Sequence, residues 1–396
     1  MVKKIYERKL TSVLLNEIKQ SRIVVLTGMR QVGKTTLMHR IFDEIKSDNK
    51  IFLDLENPLN QKIFEEKNYD NIIANLEHMG FQAGQKSFIF LDEVQIMPVI
   101  VKPIKYLYDH YKIKFFLTGS SSYYLKNLFP ESLAGRKVIY ELFPLDFEEY
   151  LVFMEKSKDT LKTFKKKEKG KNEVQFELYK KLYENYLEYG GFPAVVQEKN
   201  KARKRQILED IFKSYFEKDV RTLTDFKELR KLRDLILLLA NRVGSKIEIS
   251  KIASEIGIVR DTVYSYLGFL EKTYFLFFLN PMSGSLNGEV RGAKKVYFCD
   301  TGLLNYLGRI PPGILHENAV FSNLRKYGNL NYYAKYKGPE IDFVLNKKIG
   351  LEAKVKGNDF DVNRLKKISQ SLGINEYYVV IKIYSDLPKT ILAQDL

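Results

Sequence analysis

Among 396 residues there is a single cysteine, Cys299, and there are four histidines, His39, His78, His110 and His316. One thiol excludes a disulfide framework and a thiolate zinc site, and it fits a reducing compartment. The histidines show no metal-ligand spacing, so no imidazole metal centre is expected. Long apolar runs are also missing. The best, Leu235 to Ala240, falls far short of the ~18 residues that a membrane span needs. Lys3, Lys4, Glu7 and Arg8 put charges where a secretory signal would carry its apolar stretch. These absences predict a soluble, cytoplasmic chain with no membrane partner.

What is present is enough to fold. A hydrophobic content of 45% with 13% aromatic residues excludes a disordered chain, which collapses poorly because it has few apolar groups. At ~150 residues per domain, the length predicts two or three domains. The formal net charge is +16, distributed unevenly: +2 over residues 1–150, +9 over 151–300 and +5 over 301–396. A diffuse lysine excess is either a nucleic-acid footprint or a solubility habit, and charge alone gives nucleic acid a modest lead.

The first 150 residues alternate helical patterns with short apolar runs at Ile23–Thr27, Ile51–Leu55, Phe88–Asp92, Lys114–Thr118 and Val138–Leu142. These runs are apolar on both faces, which predicts a parallel α/β sheet covered by helices on each side. Residues 145–240 read as mostly helical. They are interrupted by Glu155 to Lys171, with eight lysines against three acids, which is expected to be a solvated loop or helix end. From Lys231 onward, two helical patterns divided by Gly257 precede strand patterns at Tyr274–Leu279 and Lys295–Phe298. That order resembles a winged helix-turn-helix. The last hundred residues form a further α/β pattern. The expected domains are 1–150, a P-loop sheet; 151–230, a helical lid or linker; 231–298, the winged helix; and 299–396, a second α/β domain.

The strongest chemical signal is Gly28-Met-Arg-Gln-Val-Gly-Lys-Thr35, a GxxxxGK[ST] placed after a strand and opening a helix. Its glycines let backbone amides approach phosphate oxygens without a Cβ in the way. Gly28, Arg30, Gln31, Val32, Gly33, Lys34, Thr35 and Thr36 are therefore expected to bind ATP. Lys34 would reach the β- and γ-phosphates and the Thr35 hydroxyl would ligate Mg²⁺. Phe88-Ile-Phe-Leu-Asp92-Glu93 ends an apolar strand in two acids. Asp92 is expected to hold the Mg²⁺, and Glu93 to orient and deprotonate an attacking water. The second acid favours hydrolysis over phosphoryl transfer to a bound metabolite.

In this order, with a polar strand tip at Thr118-Gly-Ser120, the chain resembles the AAA+ ATPases. That resemblance implies a γ-phosphate sensor at Ser120. It also implies an arginine finger at Arg136, which would act on a neighbour's nucleotide in a homo-oligomer; the alternatives are a serine-rich turn and a surface arginine. Gly28–Thr36, Phe88–Gln95, Leu117–Ser121, Leu133–Arg136, Gly190–Pro193, Tyr297–Leu303 and Gly338–Lys354 together resemble a family of archaeal and bacterial AAA+-type ATPases. Its members join a P-loop domain to a winged helix and a nuclease-like C-terminal domain.

Glu317, Asp342 and Glu352-Ala-Lys354 follow the order E…D…ExK, which resembles the PD-(D/E)XK nucleases. On adjacent strands Asp342 and Glu352 could share a Mg²⁺ that activates water, with Lys354 steadying an oxygen. The bland alternative is an exposed strand carrying an alternating salt-bridge pair. For DNA contact, Arg260, Thr262 and Ser265 lie off the apolar helix face, Arg291, Lys294 and Lys295 sit beside the wing, and Lys201–Arg205 forms a compact basic patch. Cys299 is expected to be a buried, inert thiol. The expectation is an Mg²⁺-dependent ATPase that binds DNA through its basic C-terminal modules and either cuts it or does not. The alternative is an ATP-driven regulatory switch whose winged helix and inactive nuclease-like domain bind a protein partner.

Overall fold

Five apolar stretches become the strands of one parallel sheet in the order β2-β3-β4-β1-β5, with β1 Ile23–Thr27, β2 Lys50–Asp54, β3 Phe88–Asp92, β4 Lys114–Gly119 and β5 Lys137–Glu141. The computed structural model describes residues 5–396 except 83, 121–134, 159–160, 222–227, 284–288, 290–291 and 336–337. Alternate strand residues serve opposite faces. Ile23, Val25, Ile89, Leu91 and Leu117 pack with Ile72, Leu76, Ile104 and Leu107 of helices Asp70–Glu77 and Val101–Tyr111. On the other face Phe90 stacks on Phe116 with ring centroids 4.6 Å apart. Phe42 of helix Lys34–Glu44 meets Phe90 edge-on at 5.3 Å. Two covered faces explain why the central strands lack polar alternation. Register sets Leu26 beside Thr118 and Asp54 beside Asp92, so the functional residues gather at the carboxyl edge, where open α/β sheets bind ligands.

This first compact unit runs to Phe143 and includes Lys272–Tyr274; residues 144–271 and 275–396 form the second. The second unit opens with helices, the longest being Glu173–Tyr189. Helices Leu229–Ala240, Ile249–Ile256 and Arg260–Lys272 then precede an antiparallel hairpin of β6 Leu276–Leu279 and β7 Lys295–Phe298. The apolar face predicted for the third helix is buried, through Val263, Leu267 and Leu270. Beyond helices Thr301–Leu307 and Pro312–Leu324 lies a mixed sheet, β12-β11-β10-β9-β8. Its strands are β8 Leu330–Ala334, β9 Glu340–Leu345, β10 Ile349–Lys354, β11 Glu376–Ile381 and β12 Thr390–Leu392, with helix Asp359–Ser371 between β10 and β11. Among the described residues no helix is long and apolar enough to cross a membrane.

Two motifs that are far apart in sequence meet here. Asp300 caps helix Thr301–Leu307 by accepting from the Leu303 N–H at 2.9 Å, and its other oxygen accepts from the Gly191 N–H at 2.6 Å. Gly190 has φ +75°, and a Cβ there would lie 2.0 Å from Asp300 Oδ1. Only glycine combines that backbone with that clearance.

Lys156, Lys162, Lys165, Lys166 and Lys169 of the lysine-rich run are exposed, as expected of a solvated segment, but its other three lysines depart from that expectation. Lys158 pairs with Asp395, Lys167 donates to the Asp395 carbonyl, and Lys171 donates to the Ser385 and Leu387 carbonyls at 2.9 and 2.7 Å. Lys167 is fully buried. Charged heads that find carbonyl partners can be taken out of water, so Lys167 leaves solvent altogether while Lys158 and Lys171, half-buried, bind the same C-terminal segment.

Candidate nucleotide site

Gly28 leaves β1 with φ +150°, and a Cβ on it would sit 2.0 Å from the Leu142 carbonyl oxygen. The loop therefore turns against the strand-β5 exit through a gap that only glycine fits. Gly33 (φ 98°, ψ 25°) is the N-cap of helix Lys34–Glu44 and brings no side-chain acceptor to the helix start. Such a helix end presents backbone amides and the positive end of its dipole to an anion. Lys34 is buried, and its ammonium donates to the carbonyls of Gly28 and Met29 at 2.8 and 3.0 Å. Gln31, Thr35 and Thr36 are exposed, while Val32 is buried. Arg30 lies 4.0 Å from Glu56.

Thr35 donates its hydroxyl to Asp92 Oδ2 at 2.7 Å, and Thr118 donates to the other carboxylate oxygen. Asp92 is buried, and burial pushes its carboxyl above the ordinary value against the pull of both hydroxyls. Hydroxyl and carboxylate thus stand together, which fits Mg²⁺: that ion takes few protein ligands and completes its shell with phosphate and water. The Glu93 N–H donates to Thr118 Oγ1 at 3.1 Å, and its backbone is left-handed at φ 57°. The carboxylate of Glu93 accepts from the Gln95 amide, which also donates to Ser120 Oγ at 3.2 Å. Asp92, Glu93 and Ser120, expected in one site, are therefore joined through Thr118 and Gln95.

Sequence reasoning gave Thr118, Gln95 and Arg8 no role. Arg8, buried, donates to the Val32 carbonyl at 2.9 Å and the Phe143 carbonyl at 2.8 Å, bracing the loop from behind. Polar residues in otherwise apolar surroundings, as at Thr118 and Gln95, are a legible signal; an N-terminal arginine is not. Arg136 immediately precedes β5, its carbonyl accepting from the Ile23 N–H at 2.7 Å, and its side chain lies 3.1 Å from Asp109. Ser121, Leu133 and Ala134 fall outside the described residues.

In the second unit, the E…D…ExK residues are met by cations. Lys295 lies 2.5 Å from Glu340 and 3.6 Å from Asp342, with its side chain only 2% exposed. It was expected beside DNA; strand β7 turns it inward instead. Arg291 lies outside the described residues, and Lys294 is half-buried. Tyr297 donates to Glu317 Oε1 at 2.9 Å, and burial raises the Glu317 carboxyl. The Asp342 carboxylate also accepts from the Ala353 N–H at 3.0 Å. Glu352 is paired with Lys354 at 2.9 Å and with Arg364, but it is buried, unlike the exposed strand of the bland alternative. Among the described residues no three His, Cys, Asp or Glu are placed to hold a metal ion. Cys299 is buried, and burial pushes its thiol up.

Residues 20–151 match a family model described as an AAA domain, and residues 180–313 match one described as a domain of unknown function. "Uncharacterized protein MJ1544" of Methanocaldococcus jannaschii is 28% identical over 388 residues, covering 92% of this chain and 83% of its own. An "Uncharacterized protein" of Haemophilus influenzae is 27% identical, covering 82% of this chain and 80% of its own. Of the solved structures, the Aeropyrum pernix ORC1 protein in complex with DNA has a TM-score of 0.35 and 12% identity, covering 78% of this chain and 94% of that one.

Proposed function

We propose that the first unit is a P-loop ATPase domain of the AAA+ type, that the chain hydrolyses ATP with Mg²⁺ and that its second unit binds DNA. The observation that carries the ATPase reading is the Thr35–Asp92 hydrogen bond at 2.7 Å, with Glu93 next in sequence. Thr35 and Asp92 would hold Mg²⁺, whose charge offsets that of the phosphates. Lys34 exchanges its loop carbonyls for phosphate oxygens, and Glu93 takes a proton from water once Gln95 releases it. Loss of nucleotide binding in Lys34→Ala, with ATP retained and not turned over in Glu93→Gln, is the expected outcome. Normal hydrolysis by either variant refutes the assignment.

The DNA reading draws on the charge surplus beyond residue 150 and on exposed groups within it: Lys201, Arg203 and Arg205 on helix Lys201–Ser214, with Arg260 and Ser265 on helix Arg260–Lys272. Three helices followed by a hairpin support a winged-helix reading of 229–298. Fluorescence anisotropy with duplex DNA at two salt concentrations tests it, since displaced counterions make binding fall steeply with salt. No salt-sensitive binding favours the protein-partner switch. Cleavage at Asp342, Glu352 and Lys354 is tested in parallel by Asp342-dependent nicking of plasmid in Mg²⁺ or Mn²⁺. Arg136 acting across an oligomer would show as lost turnover in Arg136→Ala with nucleotide binding intact.

A further inference from the structure

Glu317, Glu340 and Asp342 come from a helix and a strand of the C-terminal α/β region, yet the cation among them comes from elsewhere. Lys295 belongs to β7 of the hairpin. It contacts Glu340 and Asp342 directly, while Tyr297, two residues along the same strand, holds Glu317. Residues two apart on a strand share a face, so β7 presents one ammonium and one phenol to three carboxylates. The hairpin is fixed against the sheet: Met282 N–H donates to the Tyr332 carbonyl at 2.6 Å, and Tyr332 N–H to the Asn280 carbonyl at 3.0 Å. A lysine so enclosed is held by its partners. Glu352, for its part, is spanned by Lys354 and Arg364 and leaves only Oε2 without a partner among the described residues. Glu340 and Asp342 are thus already paired with an ammonium, and Glu352 with an ammonium and a guanidinium, which leaves a divalent ion little uncompensated negative charge to bind. The residues present therefore do not fit a metal.

We propose that Lys295 is the resident cation of this acidic site, standing where the sequence pattern leads one to expect a divalent metal, so that the second unit works without one. Removing its charge leaves carboxylates that need a cation, and Lys295→Met should create a metal site where the native chain has none. This inference deepens the reading of the second unit and is independent of the ATPase.

The test is calorimetric titration of MnCl₂ into the full chain carrying Asp92→Asn, which removes the carboxylate ligand of the nucleotide site. That protein should give no binding isotherm, and its melting temperature should be the same in Mn²⁺ and in EDTA. Adding Lys295→Met should produce a one-site isotherm and a melting temperature that rises with Mn²⁺. If Lys295→Met folds poorly, Mn²⁺-dependent recovery of the folded signal counts as binding and its absence refutes the proposal. Mn²⁺ uptake by Asp92→Asn that disappears on adding Asp342→Asn overturns it, as does a Lys295→Met protein that takes up no metal. DNA anisotropy in EDTA is read separately: its failure would sink the DNA reading and leave the metal result standing.

Discussion

Asp300→Asn should destabilise the protein at low pH and do so far less at neutral pH. Burial pushes the Asp300 carboxyl up from 3.8 to about 6, against the pull of backbone N–H groups of Gly191, Leu303 and Gly302. A folded-state value above the unfolded one means that the fold holds the proton longer. Stability from this group is complete below pH 3.8 and is lost as pH rises through about 6. At about 1.4 kcal/mol per pH unit the loss is about 3 kcal/mol. Asparagine cannot titrate, and it turns an amide toward the Gly191 N–H, leaving a buried donor unpaired at a cost of about 1–3 kcal/mol at every pH. Urea unfolding of both proteins, followed by circular dichroism at pH 4 and 7.5, isolates the effect because other carboxylates cancel in the difference. The gap between them should move by about 2.4 kcal/mol toward the variant on going from pH 4 to pH 7.5, since the unfolded carboxyl is already partly ionised at pH 4. A gap that stays constant refutes the claim that burial dominates the Asp300 environment.

Gly28→Ala drives a Cβ to 2.0 Å from the Leu142 oxygen; it should cost about 1–3 kcal/mol and weaken ATP binding, as seen in melts with and without nucleotide. Burial holds the His316 imidazole down at about 4. A lowered value means stability that is present above the ordinary 6.5 and is lost as pH falls toward 4; its ring resonances should stay in the neutral form through pH 5. Burial likewise pulls Lys167 down to about 8 from 10.5, so the fold gains stability as pH rises across that interval. Lys167→Met should abolish that gain in urea midpoints compared at pH 8 and 10.

The first unit was the more legible because its strands are covered on both faces and stay apolar throughout, and because Gly28–Thr35 and Asp92–Glu93 are contiguous motifs. The predicted strands differ from β1 to β5 by no more than a residue at an end. The second unit resisted for one recurring reason. Lys158, Lys167, Lys171 and Lys295 are charged side chains, and alone in a sequence a charge reads as solvent-facing. Each is withdrawn from water by carbonyls or carboxylates distant in sequence, which no local pattern announces. Strand β12 was missed too, at three residues too short for alternation to register, and helix Thr301–Leu307 was hidden by the turn-like Asp-Thr-Gly at its start. Gly190–Pro193 and Tyr297–Leu303, which carry part of the resemblance, have no local pattern to explain them; the Asp300–Gly191 bond supplies the reason.

The buried lysines also set an order of assembly. Lys167 and Asp395 are 228 residues apart in sequence, and Lys171 and Thr390 are 219 apart. Closing loops of that length costs entropy before any contact repays it, and such contacts slow folding. On a ribosome, the helix around Lys167 emerges long before its partners exist, whereas every strand of the first sheet is made within the first 141 residues. The first unit can therefore be complete while the second still waits, its lysines solvated, for the last strand to arrive.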